Sequence, residues 1–149
     1  MSIPDSMDEQ IVRLLGQDAR QSSETLAKQL KLSSATVRRR LRKLLRSDLL
    51  RIVGVVDPSN FGFPLAVVIA LNVAADKLEP TTEALANRPE ITWASATTGP
   101  FDIIALARFR STDCLSDFVT KELGQMEGVK DIQMLTCFRV KKGHHIPVT

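Results

Sequence analysis

The stretch that most constrains this chain runs from Ser33 to Arg51, where a regular apolar spacing is interleaved with six arginines and a lysine. Val37, Leu41 and Leu44 recur at i, i+4 and i+7, which puts them on one face of a helix. On the same helical wheel Arg39 and Arg46 point away from that face. Ala35 and Arg42 lie to one side of that direction, Thr36 and Lys43 to the other, and Arg38 and Arg40 flank the apolar stripe. Ser33 stands where an N-cap belongs, its hydroxyl able to satisfy a free amide of the first turn. The helix therefore has an apolar back, a cationic front, and small residues Ser34, Ala35 and Thr36 at its N-terminal tip. That shape suits the major groove, the tip toward base edges and the arginines toward phosphates or guanine. A solvated helix face is the plainer alternative, and the residues upstream decide between the two.

Upstream, Asp8 is placed to cap a first helix carrying Ile11, Leu14 and Leu15 and ended by Gly16. Ser22 caps a second helix, Ser23 to Leu30, with Leu26, Ala27 and Leu30 inward. Lys31-Leu32 turns into the basic helix, and Lys31 is the residue expected to take a positive φ there. Three helices, the last two joined tightly, make a helix-turn-helix. Candidate DNA contacts are Ser33, Ser34, Ala35, Thr36, Arg38, Arg39, Arg40, Arg42, Lys43 and Arg46. Charge supports this: residues 1–64 hold eleven basic against seven acidic residues, whereas 65–149 hold nine against ten.

Leu49 to Val56 reads as a strand, a wing beside the helices. Asp57–Asn60 breaks it, and Phe61-Gly62-Phe63-Pro64 reads as a linker, giving a first domain over 1–60 and a second over 65–149. In the second, strand patterns fall at Leu65–Val73, Ile91–Thr97, Phe101–Phe109 and Val129–Val140. Helical patterns fall at Leu78–Asn87, with Leu78, Thr82 and Leu85 inward, and at Thr112–Met126. The order β-α-β-β-α-β is the ferredoxin-like arrangement. The fold class is thus α+β, an N-terminal (winged) helix-turn-helix followed by a ferredoxin-like βαββαβ domain. Both faces of Leu65–Val73 are largely apolar, which argues that the sheet face without helices is covered by self-association.

The ordered set of these segments resembles the Lrp/AsnC (feast/famine) family of transcription regulators. The resemblance runs through Asp8–Leu15, Leu26-Ala27, Leu32-Ser33, Thr36 to Leu44, Leu50-Arg51, Val56-Asp57-Pro58, Thr98-Gly99-Pro100-Phe101-Asp102 and Met126-Glu127-Gly128-Val129. It implies a regulator that binds double-stranded DNA, with a second domain that builds homodimers and then tetramers or octamers and often holds an amino-acid effector between dimers. Effector-sensing members carry Gly-acid-aromatic-Asp in the turn between the middle strands. This chain has Gly99-Pro100-Phe101-Asp102, so Pro100 removes both a carboxylate and a backbone donor. Thr97 and Thr98 offer hydroxyls nearby, which makes 97–102 the candidate effector site; a plain turn, with Asp102 a local acceptor, is the alternative.

Two other functions are weighed beside sequence-specific regulation. One is architectural wrapping of DNA with little sequence choice. The other is a sirohaem decarboxylase-like enzyme, since those enzymes look like this family; this chain has two histidines and no tyrosine to line a tetrapyrrole pocket. No phosphate-loop, GxSxG or HExxH motif is present, so no catalytic residues or cofactor are expected. His144-His145 read as tail rather than metal ligands, and Cys114 and Cys137 as packed, reduced thiols. Trp93 is assigned to core or interface. No run reaches the ~18–20 apolar residues of a membrane span, and no leader pattern is seen, so a cytoplasmic protein is expected.

Overall fold

In the computed structural model, which describes residues 3–143, 146 and 147, each helix of the first unit starts on a side chain that satisfies its free amides. Asp5 caps α1 (Ser6–Gln17), Ser22 caps α2 (Ser23–Leu30), and Ser33 caps α3 (Ser34–Arg46). Between α2 and α3, Lys31 adopts φ 54°, the left-handed conformation expected of it, and its amide donates to the Ala27 carbonyl. Ile11, Leu15, Leu26, Ala27, Val37 and Leu44 are buried together, so the apolar stripe of α3 closes a three-helix core.

The cap of α1 differs from the expected one. The Asp5 carboxylate accepts from the Met7 and Asp8 amides at 3.0 and 2.9 Å, while Asp8 reaches back to the Asp5 amide at 3.3 Å. Asp8 is the third residue of a capping box rather than the cap itself. Gly16 lies inside the helix, which runs to Gln17 before Asp18 turns extended.

The second unit starts at Gly54. Its strands are β1 (Val55–Val56), β2 (Leu65–Val73), β3 (Ile91–Ala96), β4 (Ile103–Phe109), β5 (Val129–Thr136) and β6 (Ile146–Pro147). Its helices are α4 (Leu78–Ala86) and α5 (Thr112–Asp117). The four long strands pair antiparallel in the order β3-β4-β2-β5, and β1 pairs with β6. Alternation along β2 and β4 sends Val67, Ile69, Leu71, Val73, Ile103, Ala105, Ala107 and Phe109 into a core with Leu85, Phe118 and Leu123. The strand and helix order, with both helices feeding one face, is ferredoxin-like.

The opposite face is set by register. Trp93 pairs with Leu106, Leu106 with Val68, and Val68 with Leu135, an apolar row across all four strands. Trp93 is 49%, Leu106 42% and Leu135 62% exposed.

Several segments are shorter than their patterns. The expected wing Leu49–Val56 is paired only at Val55–Val56, and with β6 of the second unit. Among the described residues 49–53 have no strand to join, and an unpaired strand is not stable alone. The expected linker 61–64 is part of a folded turn. Phe61 ends a 3₁₀ turn begun at Pro58, Gly62 takes φ 86°, and Phe63 donates to the Pro58 carbonyl at 3.0 Å. The divide falls upstream of it, at Val53/Gly54.

Strand β5 stops at Thr136 rather than Val140, because β2 begins after Pro64 and its ladder is exhausted once Cys137 bonds to Ala66. On α4 the buried threonine is Thr81; Thr82 instead folds its hydroxyl onto the Leu78 carbonyl at 2.7 Å. The helix from Thr112 loosens into a π turn at Phe118–Glu122 and a 3₁₀ turn at Leu123–Gln125. No helix among the described residues is long and apolar enough to cross a membrane.

Candidate nucleic-acid interface and effector turn

The cations of α3 fall into two groups. Arg40 is turned inward: its Nη1 bonds Asp5 at 2.7 Å and Asp8 at 2.8 Å, and its Nε is shut away from solvent. Hydrogen bonds from the Asp8 amide and the Arg40 guanidinium hold the Asp5 carboxyl below its ordinary value, and Asp5 in turn raises Arg40. Arg38 is ion-paired with Glu24 on α2, and that bond lowers the Glu24 carboxyl. Sequence spacing placed both arginines among the DNA contacts; the structure gives each an internal acidic partner.

The remaining four, Arg39, Arg42, Lys43 and Arg46, are exposed and without ion-pair partners among the described residues. With Ser47 they line a shallow depression of about 420 Å³. At the tip, the Ser33 hydroxyl accepts from the Thr36 amide at 3.1 Å and lies 2.8 Å from the Thr36 hydroxyl. Ser33 and Thr36 are thus partly committed to the cap, while Ala35 is exposed beside them. The arrangement combines a helix N-terminus, which favours anions, with four free cations along one face.

In the second unit the turn between β3 and β4 is held by its own polar groups. The Thr97 hydroxyl donates to the Phe101 carbonyl at 2.7 Å, and the Thr97 amide to the Asp102 carbonyl at 2.8 Å. One Asp102 carboxylate oxygen accepts from the Val73 amide at 2.9 Å, and the Pro100 carbonyl accepts from Asn72 at 2.9 Å. Gly99 takes φ 123°, so its value here is backbone freedom; a side chain at that point would meet nothing within 4 Å. Thr98, Gly99 and Pro100 are exposed, and Phe101 is half-buried.

Other candidate chemistry does not assemble. Cys114 is exposed rather than packed, and Cys137 is half-buried. Among the described residues no group of three His, Cys, Asp or Glu could hold a metal ion; His144 and His145 lie outside them.

Residues 66–146 match the Lrp/AsnC ligand binding domain, and residues 5–45 match the AsnC-type helix-turn-helix domain. The chain belongs to the Lrp/AsnC family of transcriptional regulators. An uncharacterised HTH-type transcriptional regulator of Pyrococcus furiosus is 30% identical over 139 residues, covering 93% of this chain and 94% of the relative. The HTH-type transcriptional regulator Ptr1 of Methanocaldococcus jannaschii is 26% identical, covering 97% and 99%. Among solved structures, E. coli AsnC superposes with a TM-score of 0.83 at 24% identity, over 94% of this chain and 95% of that one. A Neisseria meningitidis regulator solved with L-Met superposes at 0.84 and 24%, over 94% and 93%. At that identity the two structures establish the shared fold.

As an Lrp/AsnC member the protein is a DNA-binding transcriptional regulator built from a helix-turn-helix and a ligand-binding domain. Spacing along the chain missed Glu24, Asp5 and Asp8 as partners of α3. Acids in the first turn of α1 and α2 read locally as dipole complements, and nothing local ties them to arginines 14 to 35 positions away.

Proposed function

We propose that this Lrp/AsnC regulator reads double-stranded DNA through the front of α3. Arg39, Arg42, Lys43 and Arg46 supply the affinity, and Ser34, Ala35 and Thr36 approach base edges. The observation that carries this is the sorting of cations on one helix: these four are left free together, while Arg38 and Arg40 are held by acids. Selection of bound duplexes from a random pool, followed by competition with random DNA, tests it. A specificity ratio well above one supports sequence-specific regulation; a ratio near one turns the reading into architectural wrapping.

The regulator acts as a homodimer or a higher ring, because the row Trp93-Leu106-Val68-Leu135 leaves a continuous apolar strip in solvent on a lone chain. Two copies of α3 then face two half-sites. Its effector is an amino acid held near Thr97–Asp102, a reading supported by the match to the ligand binding domain and by the relative solved with L-Met. Asp102 has one oxygen left for an α-ammonium after bonding Val73. Calorimetry against the common amino acids, with wild type and Asp102→Ala, checks it. Absence of heat with every amino acid would leave 97–102 a plain turn.

A further inference from the structure

The geometry points to Glu24 as a positioning residue that withholds Arg38 from DNA until a well-placed acceptor displaces the carboxylate; the inference rests on the DNA-binding reading of α3. Arg38 sits at the edge of the cationic front, on the side of α3 that meets α2, and its guanidinium is ion-paired with the Glu24 carboxylate. Both side chains are about half exposed, 51% and 56%. A pair so exposed is held weakly and exchanges with other acceptors. Arg40, by contrast, is engaged by two carboxylates, one of them buried, and does not exchange on the same terms.

Two acceptors compete with Glu24 when DNA arrives. A guanine edge presents N7 and O6 to the fork of a guanidinium together, while an isolated phosphate can be approached with looser geometry. Leaving Glu24 also uncovers a carboxylate beside a polyanion, which opposes the exchange. A well-placed bidentate acceptor overcomes that opposition; a random sequence leaves Arg38 where it is. Non-specific affinity is then carried by four cations, and a fifth is added only at a matching site.

Glu24→Gln removes the charge that holds Arg38 while keeping the side chain's size. Affinity for a random duplex is expected to rise by up to about fivefold. The slope of log affinity against log salt for the random duplex should steepen by about one unit, and affinity for a duplex selected by the wild type should rise by more, because there the wild type gives up the whole Glu24 bond to engage Arg38. The specificity ratio therefore rises. In the background of Arg38→Gln the same Glu24→Gln change is expected to alter neither slope nor ratio. An unchanged slope and ratio in the single variant overturn the proposal, including where the melting temperature drops and Glu24 is only structural. A gain that persists without Arg38 overturns it too, since Glu24 would then act through its own charge. Failure of the wild type to bind either duplex is a different outcome: it removes the DNA-binding reading itself, and this proposal with it.

Discussion

Free cations cover the front of α3, whereas the open face of the sheet carries Trp93, Leu106, Val68 and Leu135. Both surfaces face solvent, but water treats them differently. Arginine and lysine heads are well solvated and carry no penalty for standing free, so the first surface tells us what a partner must be and not that one is obligatory. An apolar row across four strands loses free energy for every chain that leaves it wet, so the second surface demands a cover even before its identity is known. On the proposed reading, one unit of this regulator waits for DNA and the other is covered by a second copy.

The sharpest way to break the comparison is to charge the apolar row. Leu106→Asp buries an unpaired carboxylate if the face is an interface, and association should weaken by at least ~3 kcal/mol, over a hundredfold. Sedimentation at micromolar concentration reads this directly. A wild type that runs as a folded monomer, or a variant that associates as before, would contradict self-association through this face.

Within α3 the two groups of cations should respond in different currencies. Arg40→Ala leaves Asp8, only 3% exposed, without its counter-charge, and a loss of about 1–3 kcal/mol of stability is expected. Thermal melting checks it, and an unaltered melting temperature would argue that the contact is idle. Arg39→Ala should leave melting alone and weaken binding at a selected site by ~1–3 kcal/mol if it reads a base. A phosphate-only role would instead weaken all duplexes alike and reduce the salt slope by about one unit.

Acid should loosen the helical unit. The Asp5 carboxyl titrates below its unfolded value, so the stability it contributes is complete above the unfolded carboxylate range. It is lost as pH falls through the lower, folded value. Melting of α1 by circular dichroism should therefore become easier below about pH 4, and Asp5→Asn should flatten that dependence. Equal acid sensitivity in Asp5→Asn would assign the effect elsewhere.

The smallest expected change is at the effector turn. Gly99→Val places a β-branched residue at φ 123°, which costs roughly 1–2 kcal/mol of local strain although its Cβ would meet nothing within 4 Å. Amino-acid binding, if it occurs here, should fall while DNA affinity of the unliganded protein stays within error. Unaltered amino-acid binding would move the site away from Gly99.

What was legible in the chain was whatever is set within a few residues. The Ser22 and Ser33 caps, the left-handed Lys31 and the stripe Val37-Leu41-Leu44 are all local, because a cap reaches three residues and a helical face repeats every three or four. Alternation along Leu65–Val73 likewise foretold a sheet with two apolar faces. The tertiary structure alone decided which cations stay free, since Arg38 meets Glu24 across 14 residues and Arg40 meets Asp5 across 35. It also decided that Asp102 bonds the Val73 amide 29 residues away, and that Trp93, Leu106, Val68 and Leu135 line up as one row. Propensity and periodicity act along the chain, whereas charge pairing and strand register depend on distances that exist only once the chain has folded.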